Sequence, residues 1–140
     1  MGAPADPVPP EVLDVFAGRL RIGHLATRRP DGDLAVVPVG VMIHEGQVRI
    51  SSRTDTRKIR NLEHDPHVGL CITDPDDPRH YLAIRGTAEV AEDTGRSFVN
   101  WMARTHMGQE TYPYEPQDAP RSVITIREAT YVLPRVQGSD

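Results

Sequence analysis

The chain has 140 residues, the length of a single domain, and carries 16 Lys and Arg against 20 Asp and Glu, for a formal net charge of −4. A chain of this length buries roughly two-thirds of the surface that its unfolded form exposes, so its core needs no metal ion or disulfide. The single cysteine excludes an intramolecular disulfide, and the acidic balance argues against nucleic acid as a partner. No apolar stretch approaches the ~20 residues of a membrane span and none resembles a signal peptide, so a cytoplasmic protein with no membrane partner is expected.

The first half of the chain predicts one helix and three strands. Four prolines indicate a flexible leader over residues 1–10. A short helix is predicted over about 11–17, because its apolar residues fall on one face. Three strands then follow, separated by turns that contain Asp-Gly and Glu-Gly pairs, as in hairpins. These strands begin near Leu20, Leu34 and Gln47.

The second half predicts two helices and three further strands. The first of these helices ends before Asp65-Pro66, because proline disfavours a helical residue before it. Gly86 marks a bulge within a long strand. The predicted ranges are 56–64 and 93–107 for the helices, and 68–73, 79–90 and 122–132 for the strands. Six strands with helices between them predict an antiparallel barrel with helical decoration, a single domain over 11–135 and a short tail over 136–140.

One short segment concentrates positive charge. Lys58 is the only lysine of the chain, and the segment 49–60 holds five cations and one acid. Hydroxyl-bearing residues precede Arg57 and Lys58 where the third strand is predicted to lead into a helix. Free backbone N–H groups and the helix dipole favour a phosphate at such a helix start. The alternative is an ordinary solvated basic first turn.

Several motifs occur in a shared order and spacing. They are Gly23-His24-Leu25-Ala26-Thr27, Val37-Pro38-Val39, Arg57-Lys58-Ile59-Arg60-Asn61-Leu62 before Asp65-Pro66, and Arg85-Gly86-Thr87-Ala88-Glu89. With these motifs the chain, over about residues 11–133, resembles the split β-barrel flavin and deazaflavin oxidoreductases of the pyridoxamine-phosphate-oxidase-like superfamily. It is most similar to small actinobacterial enzymes that use the deazaflavin coenzyme F420. The resemblance implies a mainly β fold, a six-stranded antiparallel split β-barrel of the FMN-binding type with a few short helices.

The resemblance also implies a homodimer with two cofactor sites at the subunit interface. The residues implied to hold the anionic part of the coenzyme are Ser51, Ser52, Thr56, Arg57 and Lys58, with Asn61 in support. Those implied to line the ring system, largely through backbone groups, are Ala35, Val37, Pro38 and Val39. The partner subunit is implied to contribute Arg79, His80 and Tyr81, and Tyr112 is a further candidate. Relatives often carry a bulky aromatic residue where this chain has Gly40-Val41, which implies a wider substrate side.

Three functional classes follow for the chain. The first is an F420H2-dependent oxidoreductase that transfers a hydride to a conjugated electrophile of quinone, enone or tetrapyrrole type. The second is an FMN-dependent oxidase or flavoprotein on the same fold, and the third is a non-catalytic module that binds a cofactor or nucleic acid. Hydride transfer is the work of the cofactor, so no catalytic side chain is expected. No metal site is expected either, because the proline in His64-Asp65-Pro66-His67 breaks the helix and no third ligand is near. Tyr112 and Tyr114 either cover the site as a flap or pack a loop.

Overall fold

Six antiparallel strands and three short helices make up the fold in the computed structural model, which describes residues 7–134. The strands are β1 (Arg21–Arg28), β2 (Leu34–His44), β3 (Gln47–Arg53), β4 (His67–Asp74), β5 (Asp77–Glu92) and β6 (Arg121–Val132). The helices are α1 (Pro10–Phe16), α2 (Arg57–His64) and α3 (Ser97–His106), with a 3₁₀ turn at Thr94–Arg96 before α3. The strands close into a barrel in the order β1-β2-β3-β6-β5-β4, which confirms the predicted fold class.

The chain enters the fold before α1. Val8 is only 8% exposed and belongs to the core, and Pro10 is the first residue of α1, a position where its missing N–H costs no hydrogen bond. Residues 1–6 of the predicted leader and the predicted tail 136–140 lie outside the described residues. Across residues 7–134, no helix has the length and apolar character needed to cross a membrane.

Helix α3 begins later than its sequence pattern predicts. The predicted helix over 93–107 is interrupted because Gly95 and Arg96 both have positive φ, at 64° and 58°. The carboxylate of Asp93 then accepts hydrogen bonds from the backbone N–H groups of Phe98 and Val99, at 2.8 and 2.9 Å. Asp93 therefore satisfies free donors of the first turn of α3 from outside the helix.

Two apolar clusters hold the helices against the barrel. The larger cluster fills the barrel interior with alternate residues of every strand, and α2 adds buried Ile59 and Leu62 to it. The smaller cluster lies on the outer side of the barrel, where α3 packs Phe98, Val99 and Met102 against Met42 of β2. Helix α2 therefore lies over one part of the barrel, and α3 covers the outside of another.

Strands β5 and β6 form the longest ladder and connect the two ends of the barrel. Its register shifts between Arg85 and Thr87, so the bulge predicted at Gly86 is confirmed. A Cβ atom on Gly86 would lie 2.5 Å from the carbonyl oxygen of Arg127, so only glycine fits there. The ladder places the pair Ala83 and Val132 near one end and the pair Glu92 and Ser122 at the other.

Candidate functional site

Strands β2 and β3 of the closed barrel pair with each other over only four residue pairs, and we call the region beyond this pairing, between the free edge of β2 and the end of β3, the opening. Residues Val41–His44 of β2 pair with Gln47–Ile50 of β3, whereas 34–40 of β2 pair with β1 and 51–53 of β3 pair with β6. Val37, in the part of β2 that does not pair with β3, is 37% exposed, whereas its partner across the ladder, Leu25, is completely buried. The opening therefore presents the edge of β2 on one side and the end of β3 on the other.

The predicted ring-lining residues form the β2 side of this opening. Val39 is buried, Ala35 is half-buried, and Pro38 is exposed opposite His24 of β1. The four predicted residues therefore present a short apolar edge, in which Pro38 lacks a backbone N–H. The space left by Gly40 is partly filled, because the side chain of Leu20 lies 3.3 Å from the position that a Cβ atom would take there.

The hydroxyl groups at the end of β3 are already engaged within the chain. Ser52 is 2% exposed, and its hydroxyl donates to the carbonyl oxygen of Arg53 at 2.9 Å. The hydroxyl of Thr56 donates to the same carbonyl oxygen at 3.1 Å and lies 3.2 Å from that of Ser52. Thr56 occupies the N-cap position of α2, yet within residues 7–134 no side chain caps the first-turn N–H groups of this helix. Those N–H groups thus remain available to a ligand.

The environment of Lys58 differs from that of an ordinary surface lysine. Lys58 is half-buried, and burial, followed by the charge of Arg121, lowers the pKa of its ammonium group below the usual 10.5. Between residues 7 and 134, no acidic side chain forms an ion pair with it. An unpaired, partly desolvated ammonium beside another cation is expected to bind an anion strongly.

The other cations of residues 49–60 differ in how much positive charge they present to a ligand. Arg57 and Arg60 are exposed, and Arg53 lies 3.2 Å from Asp55, which balances its charge. The buried cation nearest this segment is Arg121 of β6, whose Nη1 lies 3.5 Å from the hydroxyl of Ser51. We refer to Ser51, Lys58 and Arg121, together with the start of α2, as the cationic corner.

Arg121 was not among the residues singled out from the sequence. It falls at the boundary between a predicted loop and the last strand, where a single arginine carries no local signal. Only the register of β3 with β6, which pairs Arg53 with Arg121 and Ser51 with Val123, places it beside Ser51. Asn61 was singled out as support for the coenzyme. The structure buries its side chain to 2% exposure, and its amide donates to the hydroxyl of Thr27 at 3.0 Å.

Arg79, His80 and Tyr81 lie at the far end of the β5–β6 ladder from the cationic corner. Hydrogen bonds from Arg79 lower the pKa of Asp77 to about 2, and His80 lies 3.5 Å from the same carboxylate. They therefore do not join Ser51 and Lys58 within one protomer. His80 and Tyr81 instead line a separate cavity of about 520 Å³ beside α1.

The two tyrosines of the loop after α3 have different surroundings. The ring of Tyr112 lies 4.7 Å from the guanidinium carbon of Arg121, and its backbone N–H donates to the side chain of Asn100 at 3.1 Å. Tyr114 is 72% exposed. Tyr112 therefore packs against the cationic corner, while most of Tyr114 faces solvent. His67 contacts Asp65 at 2.8 Å, and among residues 7–134 no three His, Cys, Asp or Glu side chains are placed to hold a metal ion.

The fold is that of a split-barrel protein, and the cationic corner lies where β3 leads into α2. The family model for pyridoxamine 5'-phosphate oxidase matches residues 9–132, and the chain belongs to this family. It is similar to the solved structure of an F420 reductase, with 30% identity over 85% of this chain and 94% of that chain and a TM-score of 0.72. None of the curated proteins matches the sequence.

Two more distant structures share the fold alone. A NimC/NimA family protein from Clostridium acetobutylicum is 18% identical, over 91% of this chain and 85% of that chain, with a TM-score of 0.69. A heme-binding protein from Mycobacterium smegmatis is 22% identical, over 86% of this chain and 51% of that chain, with a TM-score of 0.62. The barrel alone therefore does not identify the ligand of this chain.

Proposed function

We propose that the protein is an F420H2-dependent oxidoreductase that reduces a conjugated electrophile such as a quinone, an enone or a tetrapyrrole. The observation that carries this proposal is the half-buried Lys58 beside Arg121, in the first turn of α2, with no ion-pair partner among residues 7–134. F420 carries a phosphodiester and a glutamate tail, so it presents several negative charges to such a corner. The similarity to an F420 reductase supports the same choice of coenzyme.

The residues of the opening fit the two ends of this coenzyme. Lys58, Arg57 and the first-turn N–H groups of α2 would hold the anionic part by charge-assisted hydrogen bonds. The apolar edge formed by Val37, Pro38 and Val39 would support the flat ring and keep water from one side of it. When bound, the reduced deazaflavin supplies the hydride, so the chain's own residues need only bind, orient and exclude water.

A second copy of the chain would complete the site. The outer face of β1 and β2 exposes large apolar side chains, with Ile22 at 63%, Leu34 at 66% and Val36 at 62%. Such a patch is typical of a protein interface, and a symmetric dimer is the commonest assembly that covers one. Tyr81, 37% exposed, would then lie at the edge of the interface, from which the partner subunit would bring Arg79, His80 and Tyr81 to the opening.

FMN is the second candidate, because the family model that matches is that of pyridoxamine 5'-phosphate oxidase and a single terminal phosphate also suits Lys58. Parallel titrations separate the two proposals. The protein is titrated into F420 while the deazaflavin fluorescence is recorded, and into FMN while the flavin fluorescence is recorded. Micromolar or tighter binding of F420 together with weaker binding of FMN supports the proposal. Tight binding of FMN alone makes the chain a flavoprotein.

A further inference from the structure

Arg121 of the cationic corner also belongs to a buried cluster of three charged side chains. The side chain of Glu115, 4% exposed, lies between those of Arg96 and Arg121, which are 9% and 7% exposed. One carboxylate oxygen accepts hydrogen bonds from Arg96 Nη1 and from Arg121 Nε, both at 2.8 Å. Because it contains two arginines and one glutamate, this buried cluster carries a net positive charge.

Glu115 fixes the orientation of Arg121. Its two oxygens accept from Nε at 2.8 Å and from Nη2 at 3.0 Å, which is a bidentate contact along one edge of the guanidinium group. The guanidinium carbon of the same group lies over the ring of Tyr112, 4.7 Å from its centre. Because guanidinium is planar, these two contacts determine where the remaining nitrogen points. That nitrogen, Nη1, lies 3.5 Å from the hydroxyl of Ser51.

The charges of Lys58 and Arg121 lie close enough to influence each other. The charge of Arg121 adds to the effect of burial in lowering the pKa of the Lys58 ammonium group. Two like charges beside one opening repel each other until an anion lies between them.

We propose that Arg121 is a second cationic contact for the bound anion and that Glu115 is its positioning residue. This inference rests on the proposed function, in which the corner holds the phosphate-bearing end of a coenzyme. It adds that Lys58 and Arg121 act as a pair, so the site prefers a multiply charged, phosphate-containing ligand to a singly charged carboxylate. The loop after α3, which carries Tyr112 and Glu115, thereby becomes a wall of the site that the carboxylate holds in place.

Binding at several salt concentrations tests the role of Arg121. Arg121→Gln is compared with Arg60→Gln, which removes an exposed charge from the same region. We expect Arg121→Gln to weaken coenzyme binding about tenfold or more and to make log Kd less dependent on log salt concentration. Arg60→Gln should leave both nearly unchanged. Equal behaviour of the two variants overturns the assignment.

In Glu115→Gln, the direction in which the affinity for the coenzyme changes tests the positioning role. Removing a negative charge close to an anion site strengthens anion binding if only electrostatics matters. Loss of the bidentate contact releases Arg121 and weakens binding instead. We therefore expect weaker binding of the coenzyme to Glu115→Gln, and tighter binding would overturn the positioning role. The double variant Glu115→Gln/Arg121→Gln removes both charges of the Glu115–Arg121 ion pair. It replaces Arg121→Gln in the binding test if that single variant does not fold.

The wild-type chain allows a test that needs no substitution. Arginine side-chain ¹⁵N resonances are recorded during titration with F420, with FMN and, if neither binds, with pyrophosphate. A shift of the Arg121 signals at saturation supports the assignment, and unchanged Arg121 signals with a bound ligand overturn it. If FMN binds instead of F420 and shifts Arg121, the proposed coenzyme is wrong and the second contact stands. If F420 binds without involving Arg121, the proposed function stands and the inference fails. If pyrophosphate does not bind either, both fail.

Discussion

Replacing Lys58 with methionine should separate function from stability. Methionine keeps a long apolar chain and removes only the charge, so the packing of the stem is retained. The ammonium is half-buried, lies near Arg121, and lacks an ion pair among residues 7–134. Its removal should therefore stabilise the free protein by about 0.5–1 kcal/mol. For a domain of this size, the melting temperature should rise by about 2–5 °C.

The same substitution should weaken coenzyme binding. A hydrogen bond to a charged group contributes about 1.5–3 kcal/mol, so Kd for F420 should increase about 10- to 150-fold. Fluorescence titration measures the affinity, and thermal unfolding of the free protein measures the stability. Arg60→Met is the matched control, since Arg60 lies on the exposed side of the same helix, and it should change neither quantity appreciably.

The pH dependence of binding gives a further test of Lys58. Its pKa in the free protein is lowered, and a bound anion raises it, so binding takes up a proton. Affinity should begin to fall at a pH below the ordinary lysine value of 10.5, and this fall should be absent in Lys58→Met. A Lys58→Met variant that is less stable than the wild type, or that binds F420 as tightly as the wild type does, would refute the interpretation of Lys58 as an unpaired anion contact.

Three further substitutions test the fold, the buried cluster and the proposed interface. Burial alone would raise the pKa of Glu115, but hydrogen bonds from Arg121 and Arg96 outweigh it and hold the pKa below 4.5. The stabilisation by its ionised form is therefore present above pH 4.5 and lost as the pH falls through the native pKa. Urea unfolding should show that Glu115→Gln is about 3 kcal/mol less stable than the wild type at neutral pH. When the pH is lowered, the free energy of unfolding should decrease less in Glu115→Gln than in the wild type. An identical acid response in both proteins would contradict this.

Gly86→Ala should destabilise the barrel by about 2 kcal/mol, because its methyl group meets the carbonyl oxygen of Arg127, whereas Gly69→Ala meets only Ala26 at 3.8 Å and should cost much less. Equal unfolding midpoints for the two variants would remove the steric explanation. Val36→Asp places a charge in the exposed apolar face and should convert a dimer into monomers in sedimentation, while a wild-type chain that is itself monomeric would exclude the proposed interface.

The strands of this barrel could be predicted because each alternates apolar residues over a few positions between strong turn signals. The bulge at Gly86 followed from a glycine within a long strand, and Lys58 stood out because the cations around it are close in sequence. The start of α3 could not be predicted, since nothing local indicates that Arg96, a residue with a side chain, adopts a left-handed backbone conformation.

The part of the site contributed by Arg121 depends on contacts between distant segments. Its proximity to Ser51 follows from the pairing of β3 with β6, and its orientation follows from Glu115 in a loop of irregular structure. Neither relation leaves a periodic pattern in the sequence. The sequence could therefore indicate the charge of the site through Lys58, but not the second cation beside it or the carboxylate that holds that cation in place.

A crystal structure of the protein with bound F420 tests the central claim most directly. We expect the phosphate group within hydrogen-bonding distance of Lys58 Nζ and Arg121 Nη1, and the deazaflavin ring against Val37, Pro38 and Val39. A second copy of the chain should close the opening with Arg79, His80 and Tyr81. A coenzyme bound elsewhere, with the cationic corner facing solvent and distant from any groove between subunits, would contradict the assignment.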